Sequence, residues 1–187
     1  MDTRLTGKAA LIAATTLFCA GAFAADAKST LSSSDRKFME KAAEGGMVEV
    51  QLGTLARQRG SSEEVKNFGA QMTRDHSKAN DELRELASSK GVTLPSSLDR
   101  DHQKDVDKFA RLRGDKFDHE YMEHMVKDHK KDVKEFQKAS KDANDPDVKS
   151  FAAKTLSTLE GHLQLAERTE HAVKGKPDAG SPEKAAR

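Results

Sequence analysis

Cysteine and the large aromatic residues are scarce in this chain of 187 residues, which has one cysteine, one tyrosine and no tryptophan. The single cysteine, Cys19, lies in a leader that we expect to be removed, so the mature chain has no thiol. Disulfides, thiolate catalysis and cysteine-based zinc sites are therefore excluded. Because Tyr121 is the only tyrosine, an aromatic platform for stacking a ligand is also disfavoured.

The first 24 residues predict a secretory signal peptide. Arg4 and Lys8 form a basic start, the apolar run 9–20 follows, and Ala22-Phe23-Ala24 matches the A-x-A cleavage pattern. The apolar run is shorter than the roughly 20 residues of a membrane-spanning helix. We therefore expect cleavage after Ala24, export to the periplasm and no transmembrane segment.

The charges are balanced and interspersed. Removing the leader reduces the 32 basic and 31 acidic residues to 30 of each sign. Without a basic stripe, nucleic-acid binding is disfavoured, and no patch of one sign indicates a protein partner or an oligomeric state. The sequence contains no visible pair of nucleophile and base and no phosphate-binding loop. An enzyme is therefore the less favoured interpretation.

Helical periodicity extends over most of the mature chain, and no stretch alternates with period two. We expect a flexible lead-in at 25–33, a helical domain at 34–173 and a disordered tail at 174–187. Start and stop signals predict long helices near 35–59, 62–90, 116–142 and 146–173, with a shorter crossover helix near 97–113. These signals include Ser34 before the first helix, a capping box from Ser61 to Glu64 and Ser97 as the cap of the crossover helix. This arrangement predicts an all-α, ferritin-like four-helix bundle with a short crossover helix.

Each long helix places one polar side chain near the middle of its apolar stripe. These residues are Glu49, His76, His129 and His162. Imidazole and carboxylate groups are costly to bury without partners, and the midpoints of neighbouring helices meet at similar depth in a bundle. The pattern predicts a central polar cluster. A metal site and a self-satisfied hydrogen-bond cluster both remain open interpretations.

Three imidazoles and one carboxylate suit a divalent transition metal such as zinc, copper or iron. A di-iron site of the ferritin type requires Glu-x-x-His pairs. The positions three residues before the histidines are instead Thr73, Val126 and Leu159. The residues therefore favour a site for one metal ion, with Glu49, His76, His129 and His162 as its ligands.

Three aspartates lie close to the predicted ligands along the sequence. Asp75 and Asp128 directly precede His76 and His129, and Asp132 lies at the edge of its helix's apolar stripe. Adjacent helical residues point about 100° apart, so Asp75 and Asp128 can each orient a histidine only on a neighbouring helix. We expect all three aspartates to support the predicted ligands from outside the set that binds the metal. Ion pairs with lysine or arginine are the simpler interpretation. The heptapeptide 72–78 also resembles 125–131, which a duplicated helical hairpin would explain.

The assembled motifs resemble a bacterial family known as domain of unknown function 4142, a secreted ferritin-like group. The motifs include Ala42-Ala43-Glu44-Gly45-Gly46, Glu49-Val50, Leu52-Gly53, Val65-Lys66-Asn67-Phe68, Met72-x-x-Asp75-His76, Gly91-Val92-x-Leu94-Pro95, Phe117-Asp118-x-x-Tyr121-Met122, Met125-Val126-x-Asp128-His129 and Leu159-x-x-His162. The resemblance covers 34–173 and implies a ferritin-like bundle exported to the periplasm. It implies no reaction, because the family has no established activity.

Two functional hypotheses follow. The leading one is an exported bundle that binds a metal ion at the central histidine and glutamate cluster. The alternative is a metal-free structural or stress-response protein of the periplasm that acts through protein–protein contacts.

Overall fold

Five helices account for almost all of residues 31–175, the part of the chain that this computed structural model describes. They are α1 (Ser33–Arg59), α2 (Glu63–Ser89), α3 (Arg100–Ala110), α4 (Gly114–Asp142) and α5 (Pro146–Lys174). This range contains no strand, and the predicted all-α bundle with a short crossover helix is confirmed. None of these helices is both long enough and apolar enough to cross a membrane. The predicted leader at 1–24 lies outside the described residues, as does nearly all of the predicted tail.

Three helix starts differ from the sequence-based prediction. The side chain of Ser32, rather than Ser34, accepts the first-turn N–H of α1, and Asp99, rather than Ser97, caps α3. At α2 the capping residue is Ser62 instead of Ser61. The reason is tertiary, because the carboxylate of Asp118 on α4 accepts the backbone N–H groups of both Ser61 and Ser62 at 2.9 and 2.8 Å.

The long helices form two hairpins. Helix α1 packs along α2 and α4 packs along α5, while α2 faces α5 and α1 faces α4. The crossover helix α3 packs on α1. The α1–α2 pair is especially close, since a Cβ atom built on Gly53 would lie 2.6 Å from the carbonyl oxygen of Gly69.

The apolar core divides into two clusters along the bundle. One contains Phe68, Phe117 and Tyr121, and the other contains Leu83 and Phe136. On α2, α4 and α5 the mid-helix histidine lies between the side chains of one cluster and those of the other. The fold therefore positions its buried histidines between two apolar layers.

Candidate metal centre

Three histidines meet at the centre of the bundle. His76 comes from α2, His129 from α4 and His162 from α5, and their exposed fractions are 7%, 0% and 2%. Each offers one ring nitrogen, and these nitrogens lie within 4.8 Å of one another. The ring centroids are 5.3 to 5.8 Å apart. The three rings therefore form one buried group.

Two of the rings are oriented by hydrogen bonds. The Nδ1–H of His129 donates to the carbonyl oxygen of Met125 at 2.9 Å, and the Nε2–H of His162 donates to Oδ2 of Asp75 at 3.0 Å. These bonds place the proton of each neutral ring on the bonded nitrogen. The buried ring nitrogens left without a partner among the described residues are Nε2 of His76, Nε2 of His129 and Nδ1 of His162.

Burial keeps all three imidazoles neutral at pH 7. It lowers the pKa of His129 to about 4, with a further contribution from His162. Burial also lowers the pKa of His76 well below its usual value, and the neighbouring two histidines add to this effect. The pKa of His162 is lowered by burial as well, although Asp75 opposes the shift. Neutral imidazole is the form that binds metal.

Glu49 lies beside the histidine group rather than within it. Its side chain is fully buried, and Oε1 is 3.8 Å from Nδ1 of His129, the nitrogen already bonded to Met125. Neither carboxylate oxygen has a hydrogen-bond partner among the described residues. Burial raises the pKa of Glu49 well above its usual value, and the charges of Asp128 and Asp132 raise it further. Glu49 is therefore placed as a neutral acid behind the His129 ring.

The three aspartates differ in their surroundings. Asp75 contacts both His162 on α5 and Arg74, whose Nε lies 3.1 Å from Oδ1. Asp128 and Asp132 are half-buried on α4 on the side of Glu49. Burial, followed by the charge of Asp128, raises the pKa of Asp132 to about 7. Only Asp75 touches a ring of the group.

The donor set fits a transition metal. Three neutral nitrogens without partners are the ligands that zinc, copper or iron accepts from imidazole. In a tetrahedral site with bonds of about 2.0 Å the nitrogens lie about 3.3 Å apart. Side-chain shifts on the order of 1 Å would bring the group to that geometry.

Sequence patterning does not identify two features of the structure. The carbonyl of Met125 orients His129, and the only signal for it is the four-residue helical spacing. A second group, formed by Glu44 with Asp99 and His102, also has donor atoms within 4.8 Å. It lies at the surface, and Oδ1 of Asp99 already accepts two backbone N–H groups at the start of α3. We assign it no function.

Comparisons with known proteins agree with this architecture. The family model for a domain of unknown function (DUF4142) matches residues 20–169 of this chain. A DUF305 fragment from Deinococcus radiodurans has a similar structure, with 13% identity, a TM-score of 0.67, and coverage of 76% of this chain and 98% of the fragment. A candidate spore coat protein from Bacillus halodurans C-125 has 15% identity and a TM-score of 0.56, over 81% of this chain and 96% of its own. At these identities the two structures establish the fold alone. No curated protein matches the sequence.

Proposed function

We propose that this chain, which belongs to the DUF4142 family, is an exported helical-bundle protein that binds one divalent transition metal ion. Zinc, copper or iron would be held by one ring nitrogen each of His76, His129 and His162. The observation that carries the proposal is a group of three buried rings that bring one nitrogen each within 4.8 Å of one another, each ring having a buried nitrogen without a hydrogen-bond partner among the described residues.

The surroundings of the rings support this role. A metal-binding histidine commonly donates its second N–H to a carboxylate or a carbonyl, which fixes the ring orientation. Asp75 accepts this bond from His162, and the Met125 carbonyl accepts it from His129. The lone pairs of the remaining nitrogens are then free for a metal ion.

A metal-free structural role fits the cluster less well. A buried polar atom without a partner destabilises a fold by about 1–3 kcal/mol, and the group contains three such nitrogens. A cluster that served only to hold the bundle together would pair these atoms with each other or with nearby donors. A metal ion removes the penalty at all three nitrogens at once.

Metal content measured on protein purified without an affinity tag tests the proposal. Wild type incubated with zinc, copper or iron and then desalted should retain about one ion per chain. His129→Ala should retain at least tenfold less, whereas His171→Ala, which changes an exposed histidine near the end of α5, should match wild type. Retention of no ion by wild type, or equal retention by all three proteins, would favour the metal-free alternative.

Export is proposed from the leader sequence. The basic start, short apolar run and A-x-A pattern support cleavage after Ala24 and residence in the periplasm. The intact mass of the protein recovered from a periplasmic extract should equal that of residues 25–187. An uncleaved chain, or one found only in the cytoplasm, would overturn this part of the proposal.

A further inference from the structure

The number of protein donors in the metal centre leaves room for another ligand. At this centre the three histidines are the only described residues that bring donor atoms within 4.8 Å of one another. Glu49 faces Nδ1 of His129, and the two nitrogens of an imidazole ring point to opposite sides of it. A metal ion on Nε2 of His129 would therefore have the ring between itself and the Glu49 carboxylate. Tetrahedral sites with three protein ligands leave a fourth position for water or substrate.

A groove connects two of these histidines with the surface. It runs between α2 and α5, encloses about 220 Å³, and is lined in part by His76 and His162. Its walls include the small side chains of Ala79, Thr155 and Thr158. The groove brings solvent to the rings of His76 and His162, whose unpartnered nitrogens lie beneath the surface.

The charges around the groove indicate what kind of ligand fits there. The three imidazoles are neutral, so a divalent ion bound by them keeps both of its charges. Within the part of the chain that the structure describes, Asp75 is the only carboxylate hydrogen-bonded to one of the rings. At the groove wall Lys154 bonds both carboxylate oxygens of Glu82 at 2.8 Å and ties α5 to α2. A cation in an apolar interior with too few negative ligands attracts an anion.

We infer that a metal ion in the three-histidine group keeps a fourth coordination position open to the α2–α5 groove and binds a small exogenous ligand there, either water or a small monoanion. This inference rests on the proposed function, because it requires the metal. It assigns the groove a role in ligand exchange, and it restricts the ligand to molecules of a few atoms.

Cobalt(II) in place of the native ion makes this position visible, because its visible absorption reports the coordination sphere. The tag-free mature protein is loaded with cobalt(II) and titrated with azide as the probe. The expected result is a saturable change in the visible spectrum that corresponds to one azide per cobalt. Cobalt that binds tightly but gives no azide-dependent change would overturn the inference and leave the proposed function intact. Failure to bind cobalt, zinc, copper or iron would instead contradict the proposed function itself.

Two matched variants locate the ligand. Thr158→Phe places a bulky ring in the groove, whereas Ser157→Phe places the same ring at the neighbouring exposed position, which does not line the groove. Both variants should bind cobalt as wild type does, because neither residue is a ligand. Azide affinity should fall at least tenfold in Thr158→Phe and stay unchanged in Ser157→Phe. Equal azide affinity in the two variants would show that the bound ligand does not lie against the groove, and would overturn the inference.

Discussion

His129 is fully buried at the centre of the bundle and is held there by a hydrogen bond to the backbone. It is 0% exposed, its Nδ1–H donates to Met125, and its Nε2 has no partner among the described residues. Its neighbour Glu49 is also fully buried, with its pKa raised by burial. The centre therefore consists of groups that burial holds in their neutral forms, which is the state an ion-free bundle tolerates best.

The depressed pKa of His129 predicts how the metal-free protein responds to acid. The folded-state pKa is about 4, whereas an unfolded histidine titrates near 6.5. Below pH 6.5 the His129 ring binds a proton in the unfolded chain but stays neutral in the folded chain. The free energy of unfolding that this histidine contributes at pH 7 is therefore lost as the pH falls toward 4. The loss attributable to His129 is about 3 kcal/mol at most.

Urea unfolding in chelator at several pH values, with His129→Asn as the reference, measures this loss. Asparagine keeps a donor for the Met125 carbonyl but has no titratable ring, so it controls for the opposing titrations of Glu49 and Asp132. Wild type should lose stability relative to the variant between pH 6.5 and 4. A difference that does not change with pH would mean that the folded protein binds the proton freely.

At the scale of helices and turns, two buried aspartates join the hairpins to each other. Asp35 on α1 accepts the backbone N–H groups of Asn144 and Asp145 in the α4–α5 turn. Asp118 on α4 likewise accepts those of Ser61 and Ser62 in the α1–α2 turn. The separation along the chain from Asp35 to Asp118 equals that from Ser61 to Asn144. Each hairpin thus anchors the turn of the other in the same way.

This symmetry argues against a duplicated hairpin as the origin of the similar heptapeptides 72–78 and 125–131. Duplication of a hairpin would explain the similar heptapeptides only if α2 and α4 held the same position in their two hairpins. The observed hairpins are α1–α2 and α4–α5, so α4 corresponds to α1 and α2 to α5. Duplication of a hairpin therefore does not explain the shared Met-x-x-Asp-His motif. The two anchoring aspartates support an equivalence of the hairpins instead.

Asp118→Ala should destabilise the fold by about 2 kcal/mol. The substitution leaves the first N–H groups of the α1–α2 turn without their charged acceptor, and hydrogen bonds to charged groups contribute about 1.5–3 kcal/mol. Asp105→Ala on the exposed face of α3 is the matched control and should change stability by less than about 0.5 kcal/mol. Denaturant melts that gave equal losses for both variants would contradict the anchoring role.

The close contact between α1 and α2 predicts opposite effects for two glycine substitutions. A Cβ atom on Gly69 would lie 2.5 Å from that of Ala56 and 2.6 Å from the Gly53 carbonyl oxygen, whereas a Cβ atom on Gly161 of α5 has nothing within 4 Å. Gly69→Ala should therefore destabilise by at least about 1–3 kcal/mol through overpacking. Gly161→Ala should stabilise by up to about 1 kcal/mol through helix propensity. Thermal or chemical melts that show the same sign for both would refute the packing account.

The sequence pattern predicted the helices and the three buried histidines, because these follow from helical periodicity and from position near the middle of a helix. It placed the caps of α1, α2 and α3 wrongly. At α2 the turn is held by Asp118, which is distant in sequence and cannot be paired with Ser61 by local pattern. The direction in which the Glu49 side chain points could not be predicted from the sequence pattern either. A helical stripe specifies which face a side chain occupies but not which nitrogen of a neighbouring ring it approaches.

At the scale of the whole molecule, the histidine group joins three of the four long helices at the level between the two apolar clusters. An ion bound there links both hairpins, since His76 belongs to the first and His129 and His162 belong to the second. Binding to the folded state alone stabilises it by mass action. Metal binding at this position, as proposed, would couple metal occupancy to the stability of the entire bundle.

X-ray absorption spectroscopy of the zinc-loaded, tag-free protein tests the three-histidine centre most directly. The extended fine structure should show three imidazole nitrogens at about 2.0–2.1 Å, with one further light atom from an exogenous ligand. The multiple-scattering pattern of imidazole distinguishes these ligands from carboxylates and thioethers. A shell of oxygens, a sulfur ligand, fewer than three imidazoles, or a protein that retains no zinc would contradict the account.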